Sequence, residues 1–530
     1  MNNSIARWLP AAVAIGSGLL LAAAFPPLEW SELAWIGLAP LLLVTWRATP
    51  RQRFSLGWWC GMIFWSCTLF WLTEVTWPGW VLLSAYCALF FAGFAVTAGW
   101  LHDQWDGARL VVRIGWMLAL PLGWVGLEFM RATWFTGFAW NPLGGSQFEV
   151  VSLIQMAAWT GVYGVSAVVM LVNVAVALTV DRYIREGLRS HRAWHPELML
   201  AFLVLAISMT RGGRHMRLGD EPTTQLRVAV IQPNIPQYQK WTPEFVDHIY
   251  DQLASLTSMA LQVGDPDLVI WPETAVPDYV RQSRRSYGLV RELTTMGAPL
   301  LVGSMDVEWV DEGKPRHFNS SLLFNRDGVL VESYDKQHLV MFGEYVPLSR
   351  FLPFMTAMTP IEASFDAGSE STAFVLDEPE VRFAVLICFE DTVARLARRA
   401  VRQGARLLIN QTNDAWFRES SAARQHMTHS VFRAVENQVP VVRAANTGVS
   451  CGIDRHGRIH NVLADETGNT FVSGFQMMSV QTPAGEQVPT FYARHGDWLG
   501  WSGKVLLLMV ALAAGMQRGW WKRKGVRNND

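Results

Sequence analysis

The sequence predicts an α-helical transmembrane bundle of about eight spans joined to an extracytoplasmic α/β domain. Three observations carry this. Of the 530 residues 51 % are hydrophobic and the mean hydropathy is positive, which is high for a soluble enzyme and long for one domain. Apolar stretches of membrane-spanning length fill the first 210 residues and recur near the end, whereas about Gln225 to Ala484 alternates short β-rich runs with helical patterns. The 26 tryptophans suit a chain with rings anchored at membrane interfaces.

Taken in order, the apolar segments are Pro10–Phe25, Leu33–Trp46, Leu56–Trp77, Trp80–Leu101, Leu110–Met130, Val151–Val180, Leu198–Met209 and Trp498–Met516. A full crossing needs about 20 helical residues. The second and seventh are short by that rule, which leaves a re-entrant or partly buried element open at both. The first reads as a retained anchor, because its leading region holds only Arg7 and Phe25-Pro26-Pro27 is a poor signal-peptide cleavage site.

Charge sets the expected orientation. Arg47, Arg51 and Arg53 follow the second span, Arg109 and Arg113 the fourth, and Arg182, Arg185, Arg189 and Arg192 the sixth, and the tail at 517–530 is basic. Glu29, Glu32 and Glu74 occupy the alternate loops. The positive-inside rule then places both termini in the cytoplasm and the long segment between spans seven and eight outside. Arg211, Arg214 and Arg217 run against this, but long domains cross largely regardless of such charge. The expected organisation is spans one to seven in 1–210, a linker at Thr210–Gln225, a catalytic domain at 225–484, span eight at 498–516 and the basic tail.

Within the outer segment, strands are predicted at Leu226–Gln232, Leu268–Trp271, Leu300–Ser304, Ser320–Asn325, Val329–Tyr334, Phe383–Ile387, Leu407–Asn410, Val439–Ala445 and Ser450–Asp454. Helices are predicted over Pro243–Val263, Tyr287–Met296 and Thr392–Val401, and Asp454-Arg-His-Gly457 has the composition of a hairpin turn. Interleaved strands and helices imply a layered domain with a mixed sheet. Neither an internal repeat nor low-complexity sequence is visible.

Several function classes fall away. A net charge of −1 gives no footprint for nucleic acid. Five cysteines, three of them (Cys60, Cys67 and Cys87) in apolar runs, do not make a disulfide scaffold, and a Cys388–Cys451 bridge is the weaker reading of the remaining two. The histidines are scattered, His426 and His429 lack zinc-site partners, and neither a metal nor a cofactor is expected.

What remains is chemistry at strand ends, where α/β folds collect function. Leu268–Trp271 runs through Pro272 into Glu273, Val329–Tyr334 into Asp335-Lys336, and Phe383–Ile387 into Cys388. A carboxylate can take a thiol proton, the sulfur can attack an acyl carbonyl, and an ammonium beside a backbone N–H can hold the oxyanion. A thiol delivered to a helix N-terminus is further expected to favour thiolate. Glu344 and Glu390 are placed to orient the lysine. Singly, each has a bland reading: a buried core cysteine, a turn glutamate, a solvated lysine.

Jointly they do not. Trp271-Pro-Glu-Thr274, Asp335-Lys336 with Gly343-Glu-Tyr-Val-Pro347, and Ile387-Cys-Phe-Glu-Asp391 resemble the motifs of the nitrilase superfamily, and with the flanking spans the whole chain resembles the bacterial apolipoprotein N-acyltransferase family. The resemblance implies an αββα sandwich in the outer domain and a catalytic triad of Glu273 (general base), Lys336 (oxyanion stabiliser) and Cys388 (thioester-forming nucleophile). It further implies supporting roles for Glu344, Glu390 and the Phe389 backbone N–H, and substrate contacts at Trp241, Asn319, Tyr345, Phe354 and Trp416. Members often carry Tyr where this chain has Phe389, which removes a phenol and leaves the N–H.

The implied activity is transfer of a fatty acyl chain from the sn-1 position of a membrane phospholipid to the α-amino group of a diacylated apolipoprotein. The implied setting is the bacterial inner membrane, with the catalytic domain periplasmic and the protein monomeric. The apolar stretch Leu348–Pro360, containing Phe354, is expected to form a lid over the cleft. Rival readings are a membrane-tethered amidase with the same triad, and a non-catalytic scaffold or transporter. Against the transporter stands the scarcity of charged pairs within the spans, Glu128 and Arg131 being the nearest approach.

Overall fold

The structure, a computed structural model, describes residues 3–104, 110–186, 195–217, 222–309, 313, 315–345, 364–370, 372–485 and 487–527. The chain divides into two compact units, one formed by residues 1–213 with 497–530 and the other by 214–496.

The first unit is helical: α1 Asn3–Ala23, α2 Ala39–Thr45, α3 Pro50–Thr68, α4 Trp77–Asp103, α5 Leu110–Thr133, α6 Val151–Ile154, α7 Ala157–Thr160, α8 Val162–Glu186 and α9 Pro196–His215, the last ending just inside the second unit, with a further helix over Trp498–Arg527. Among the described residues, four helices are long and apolar enough to cross a membrane, over Trp77–Asp103, Val162–Arg185, Pro196–His215 and Trp498–Gln517.

Four expected spans change shape, the third (Leu56–Trp77) because α3 ends at Thr68 and a 3₁₀ turn follows at Phe70–Glu74. The second is not one helix: Ser31–Trp35 forms a 3₁₀ turn separate from α2. Orphan amides at a helix start need partners in apolar surroundings. Asn173 of α8 supplies them, its Oδ1 accepting from Leu38 and Ala39 N–H at 2.8 and 3.1 Å while its Nδ2 donates to the Ala34 carbonyl at 2.8 Å. The sixth breaks into α6, α7 and α8, with Gly161 at φ +65° between the last two. The seventh is longer than its apolar core, so Thr210–His215, expected as linker, continues the helix.

Close backbone approach holds α3 to α4. A Cβ on Gly57 would stand 2.6 Å from the Phe91 carbonyl oxygen, so only glycine fits. Nearby, buried Arg53 makes two 2.7 Å bonds to Asp103 and one of 2.9 Å to the Thr45 carbonyl.

Among the described residues the second unit holds twelve strands: β1 Thr223–Gln232, β2 Leu268–Ile270, β3 Leu300–Trp309, β4 Pro315–Phe324, β5 Leu330–Asp335, β6 Phe374–Asp377, β7 Glu380–Ile387, β8 Leu407–Thr412, β9 Val441–Ala445, β10 Cys451–Ile453, β11 Ile459–His460 and β12 Gly474–Pro483. Helices α10 Gln237–Lys240, α11 Val246–Gly264, α12 Arg284–Thr295, α13 Ala394–Arg402, α14 Ala422–Asn437 and α15 Phe491–His495 follow in chain order, and Trp498–Arg527 is α16.

The strands form two six-stranded sheets, β12-β1-β2-β3-β4-β5 and β11-β10-β9-β8-β7-β6. In each, three parallel strands (β1, β2, β3 or β7, β8, β9) are flanked by antiparallel neighbours, so the halves share one topology that no sequence repeat announces. Inner faces meet in one apolar core: Val228, Ile270, Leu301 and Tyr334 from the first sheet, Phe383, Val385, Ile409 and Val442 from the second. The outer face of the first sheet packs on α11 and α12 through Ile249, Leu253, Val290 and Leu293, and α13 and α14 lie against β7 and β9. The result is an αββα sandwich.

Strands β6, β11 and β12 and helices α10, α14 and α15 were not expected from sequence. In β12 the solvent-side Ser479 and Gln481 and the half-buried Gln476 leave a thin apolar pattern, and only pairing with β1 (Val228 opposite Met478) settles it. Helix α14 is buried on nearly every side and has no amphipathic period to read.

Candidate active site

Glu273, Lys336 and Cys388 follow β2, β5 and β7. The Glu273 turn fits because β3 carries Gly303 beneath it: a Cβ there would lie 2.2 Å from the Pro272 carbonyl oxygen. The Ala275 N–H closes the turn on the Gly303 carbonyl at 2.8 Å, and Thr274 takes φ +42°.

Lys336 is almost wholly buried, with its backbone N–H on the Asn319 carbonyl (2.8 Å) and its carbonyl accepting from Gly368 N–H (2.9 Å). Its Nζ donates to Glu344 Oε1 at 2.8 Å and lies 3.6 Å from Glu273 Oε1. Asn319, in mid-strand on β4, bridges the two acids, Nδ2 donating to Glu273 Oε1 at 2.8 Å and Glu344 Oε1 at 3.1 Å. Asn319, expected as a substrate contact, stands inside the charged cluster and fixes the spacing of the carboxylates. Glu344 is completed by the Val340 N–H on its Oε2 at 2.8 Å.

Burial opposes the charge on Lys336, but the Glu344 and Glu273 carboxylates overcome it and hold the group above the usual lysine range. Cys388 moves the other way to expectation. Burial pushes its thiol up and the Glu273 charge adds to this, against the opposing pull of Lys336. The expected helix-terminus stabilisation of thiolate is not realised, because Cys388 begins a 3₁₀ turn, Cys388–Thr392, and the α-helix starts only at Ala394. The resting sulfur is a protonated thiol. Attack therefore needs a base.

Cys388 has φ +52°, a strained setting for a non-glycine residue. Glu390 fixes the turn by a route other than the expected bond to the lysine. Its Oε2 accepts from Ile387 N–H at 2.9 Å, its Oε1 from Gln337 and His338 N–H at 2.7 and 3.0 Å, and the Tyr334 hydroxyl donates to both oxygens. One buried carboxylate thus ties the backbone after Lys336 to the backbone before Cys388.

Two groups escaped the sequence reading. Lys240, buried at the end of α10, donates to the Glu273 carbonyl at 3.2 Å and Thr274 Oγ1 at 2.8 Å; burial lowers its pKa to about 8. Behind Cys388, Asp391, Asp414, His426 and Arg443 form a buried charged cluster. His426 had been weighed only as a metal ligand; its true partners come from three different elements.

The remaining expected residues are spread around this centre. Trp241 and Trp416 are half-exposed on neighbouring elements linked by an Asn413 to Gln237 hydrogen bond of 2.9 Å. Tyr345 is partly buried and its carbonyl accepts from Phe342 N–H at 2.8 Å, while the Phe389 ring stacks on His338 with centroids 6.1 Å apart. Phe354 and the whole Leu348–Pro360 segment lie outside the described residues. All five cysteines are free, so no Cys388–Cys451 disulfide forms.

Residues 17–175 match the family described as apolipoprotein N-acyltransferase N-terminal domain, and residues 227–482 match carbon-nitrogen hydrolase. A protein named apolipoprotein N-acyltransferase from Geobacter metallireducens is 37 % identical over 517 residues, covering 95 % of this chain and 94 % of its own. One of the same name from Brucella melitensis is 31 % identical over 536 residues, covering 96 % and 95 %. Among solved structures, Saccharomyces cerevisiae Nit3 of the nitrilase superfamily aligns at 20 % identity and TM-score 0.36, over 48 % of this chain and 90 % of that one. A nitrilase-superfamily amidase from Nesterenkonia aligns at 17 % identity and TM-score 0.37, over 57 % of this chain and all of its own.

Proposed function

We propose that this chain, an acyltransferase belonging to the apolipoprotein N-acyltransferase family, moves an sn-1 fatty acyl group from a membrane phospholipid to the N-terminal amine of a diacylated apolipoprotein through a thioester on Cys388. The observation that carries the mechanism is the Glu273–Asn319–Lys336–Glu344 cluster at the strand ends that also deliver the thiol.

In the first step Glu273 accepts the thiol proton as Sγ bonds to the ester carbonyl carbon. Lys336 and the Phe389 N–H hold the oxyanion; the ammonium suits this because its two carboxylate neighbours keep it charged. Collapse breaks the ester C–O bond, and Glu273 returns the proton to the departing lysophospholipid alkoxide. In the second step the apolipoprotein amine attacks the thioester carbon, Glu273 takes the amine proton, and C–S cleavage regenerates the thiol as that proton returns. No water is consumed, and kinetics are ping-pong.

The helical unit suits these substrates, since each CH₂ exposed to water would cost about 0.8 kcal/mol. We further propose a monomer that crosses the bacterial inner membrane about eight times, and the positive-inside pattern supports cytoplasmic termini and a periplasmic sandwich. The test is intact-protein mass spectrometry after incubation with phospholipid. Wild type should gain one fatty-acyl mass, removable by hydroxylamine, and Cys388→Ser should lack this hydroxylamine-labile adduct; an active protein that never carries the adduct would sink the thioester.

A further inference from the structure

The peptide between Cys388 and Phe389 is trans, so its carbonyl oxygen and its N–H point opposite ways in one plane. Whatever holds the oxygen aims the N–H. Two buried side chains hold it: Asn410 Nδ2 at 3.0 Å and His426 Nε2 at 3.3 Å. Both are themselves braced. Asn410 Nδ2 also donates to the Leu386 carbonyl at 3.1 Å, and its Oδ1 accepts from Arg443 Nη1 at 2.7 Å.

The His426 ring lies between two carboxylates, with Asp391 Oδ1 3.0 Å from Nε2 and Asp414 Oδ1 2.9 Å from Nδ1. Ionised carboxylates only accept, so a ring facing one at each nitrogen donates from both, as the imidazolium does. Arg443 Nη2, 3.0 Å from Nδ1, donates to Asp414 Oδ2 at 2.8 Å, and the cluster of two aspartates, one arginine and one imidazolium is neutral in sum.

We propose that His426 and Asn410 are positioning residues for acyl transfer, gripping the Cys388 carbonyl so that the Phe389 N–H is aimed at the oxyanion. Donors on that oxygen also polarise the amide and strengthen its N–H as a donor. The proposal rests on the reading that the Phe389 N–H and Lys336 form the oxyanion hole. It explains why a charged cluster sits beneath the nucleophile without meeting the Glu273 cluster, and how the φ of +52° at Cys388 is kept.

The experiment uses the full-length protein in detergent, comparing wild type with His426→Gln and Asn410→Ser by two reactions of the same sulfur. Acylation by phospholipid needs the oxyanion hole; alkylation by iodoacetamide, a displacement at a saturated carbon, does not. Each variant should lose about 100-fold in kcat for acyl transfer, with KM and the alkylation rate each within about threefold of wild type. Thermal unfolding identifies a variant that has lost its fold, and the other then decides, because each side chain grips the carbonyl independently. Wild-type acylation in a folded variant overturns the proposal, as does an equal loss of alkylation, which would mean the thiol itself had shifted. A wild type that is alkylated yet never acylated by phospholipid overturns the thioester reading, and this proposal with it.

Discussion

The Lys336 ammonium is bonded to Glu344 at 2.8 Å and stands 3.6 Å from Glu273, so its stronger partner is not the candidate base. That asymmetry leaves the Glu273 carboxylate outside direct hydrogen-bond distance of the ammonium. A Lys336 bonded equally to both acids would tie up the carboxylate proposed to accept the thiol proton.

Glu344→Gln should therefore remove the partner that draws Lys336 away from Glu273. The ammonium then turns to Glu273, and kcat for acylation should fall by about 10- to 100-fold. Breaking a buried pair costs about 3–5 kcal/mol when nothing replaces it. With Glu273 still present, the loss in denaturant unfolding should lie at or below the lower end of that range.

Gly303→Val tests the placement of the base without touching a charged group. Its side chain would displace the Pro272–Glu273 turn, and displacement on the ångström scale should lower kcat by about 100-fold. Iodoacetamide labelling of Cys388 should proceed at a rate that reports loss of the base alone. Unchanged turnover would show that the turn adapts.

Stability should depend on pH through His426, which faces Asp391 and Asp414, with Arg443 beside its Nδ1 and His429 acting on Asp391. Burial opposes its charge, but Asp391 foremost among its neighbours raises its pKa from 6.5 to about 9. The folded state thus binds the proton more tightly, and the resulting stabilisation is complete below about pH 6.5 and lost as pH climbs through about 9. Its size is on the order of 3 kcal/mol. Lys240 acts with the opposite sign: its depressed pKa of about 8 makes folding more favourable as pH rises above that value. The difference between wild type and His426→Gln isolates the histidine, and it should shrink between pH 6.5 and 9 in denaturant unfolding.

In the helical unit, Asn173→Leu should leave the Leu38 and Ala39 amides and the Ala34 carbonyl without their side-chain partner. A buried polar group without a partner costs about 1–3 kcal/mol. The variant should unfold at a lower temperature in detergent while the isolated chemistry of Cys388, read by alkylation, stays unchanged.

The three strand ends were legible because each is a local signal: a short strand-like run that stops at Glu273, Lys336 or Cys388. Most strands of the sandwich were legible for the same reason, since short apolar runs such as Leu268–Ile270 in β2 and Val441–Ala445 in β9 are written into a few adjacent residues. Helix α14, with no exposed face, and β12, with few apolar positions, carry no such pattern, and pairing across more than two hundred residues decides β12.

What the sequence determined by itself is the membrane-rich class of the chain, the layered α/β character of its second unit, and the carboxylate, ammonium and thiol at three of its strand ends. Tertiary structure alone decided how they are charged and aimed. Asn319 reaches Glu273 across 46 residues, and His426 reaches Asp391 across 35. Local reasoning from a helix terminus favoured a thiolate at Cys388; burial, which depends on everything packed around the sulfur, made it a thiol. Charge state follows solvation and neighbours in space, and neither is a property of adjacent residues in the chain.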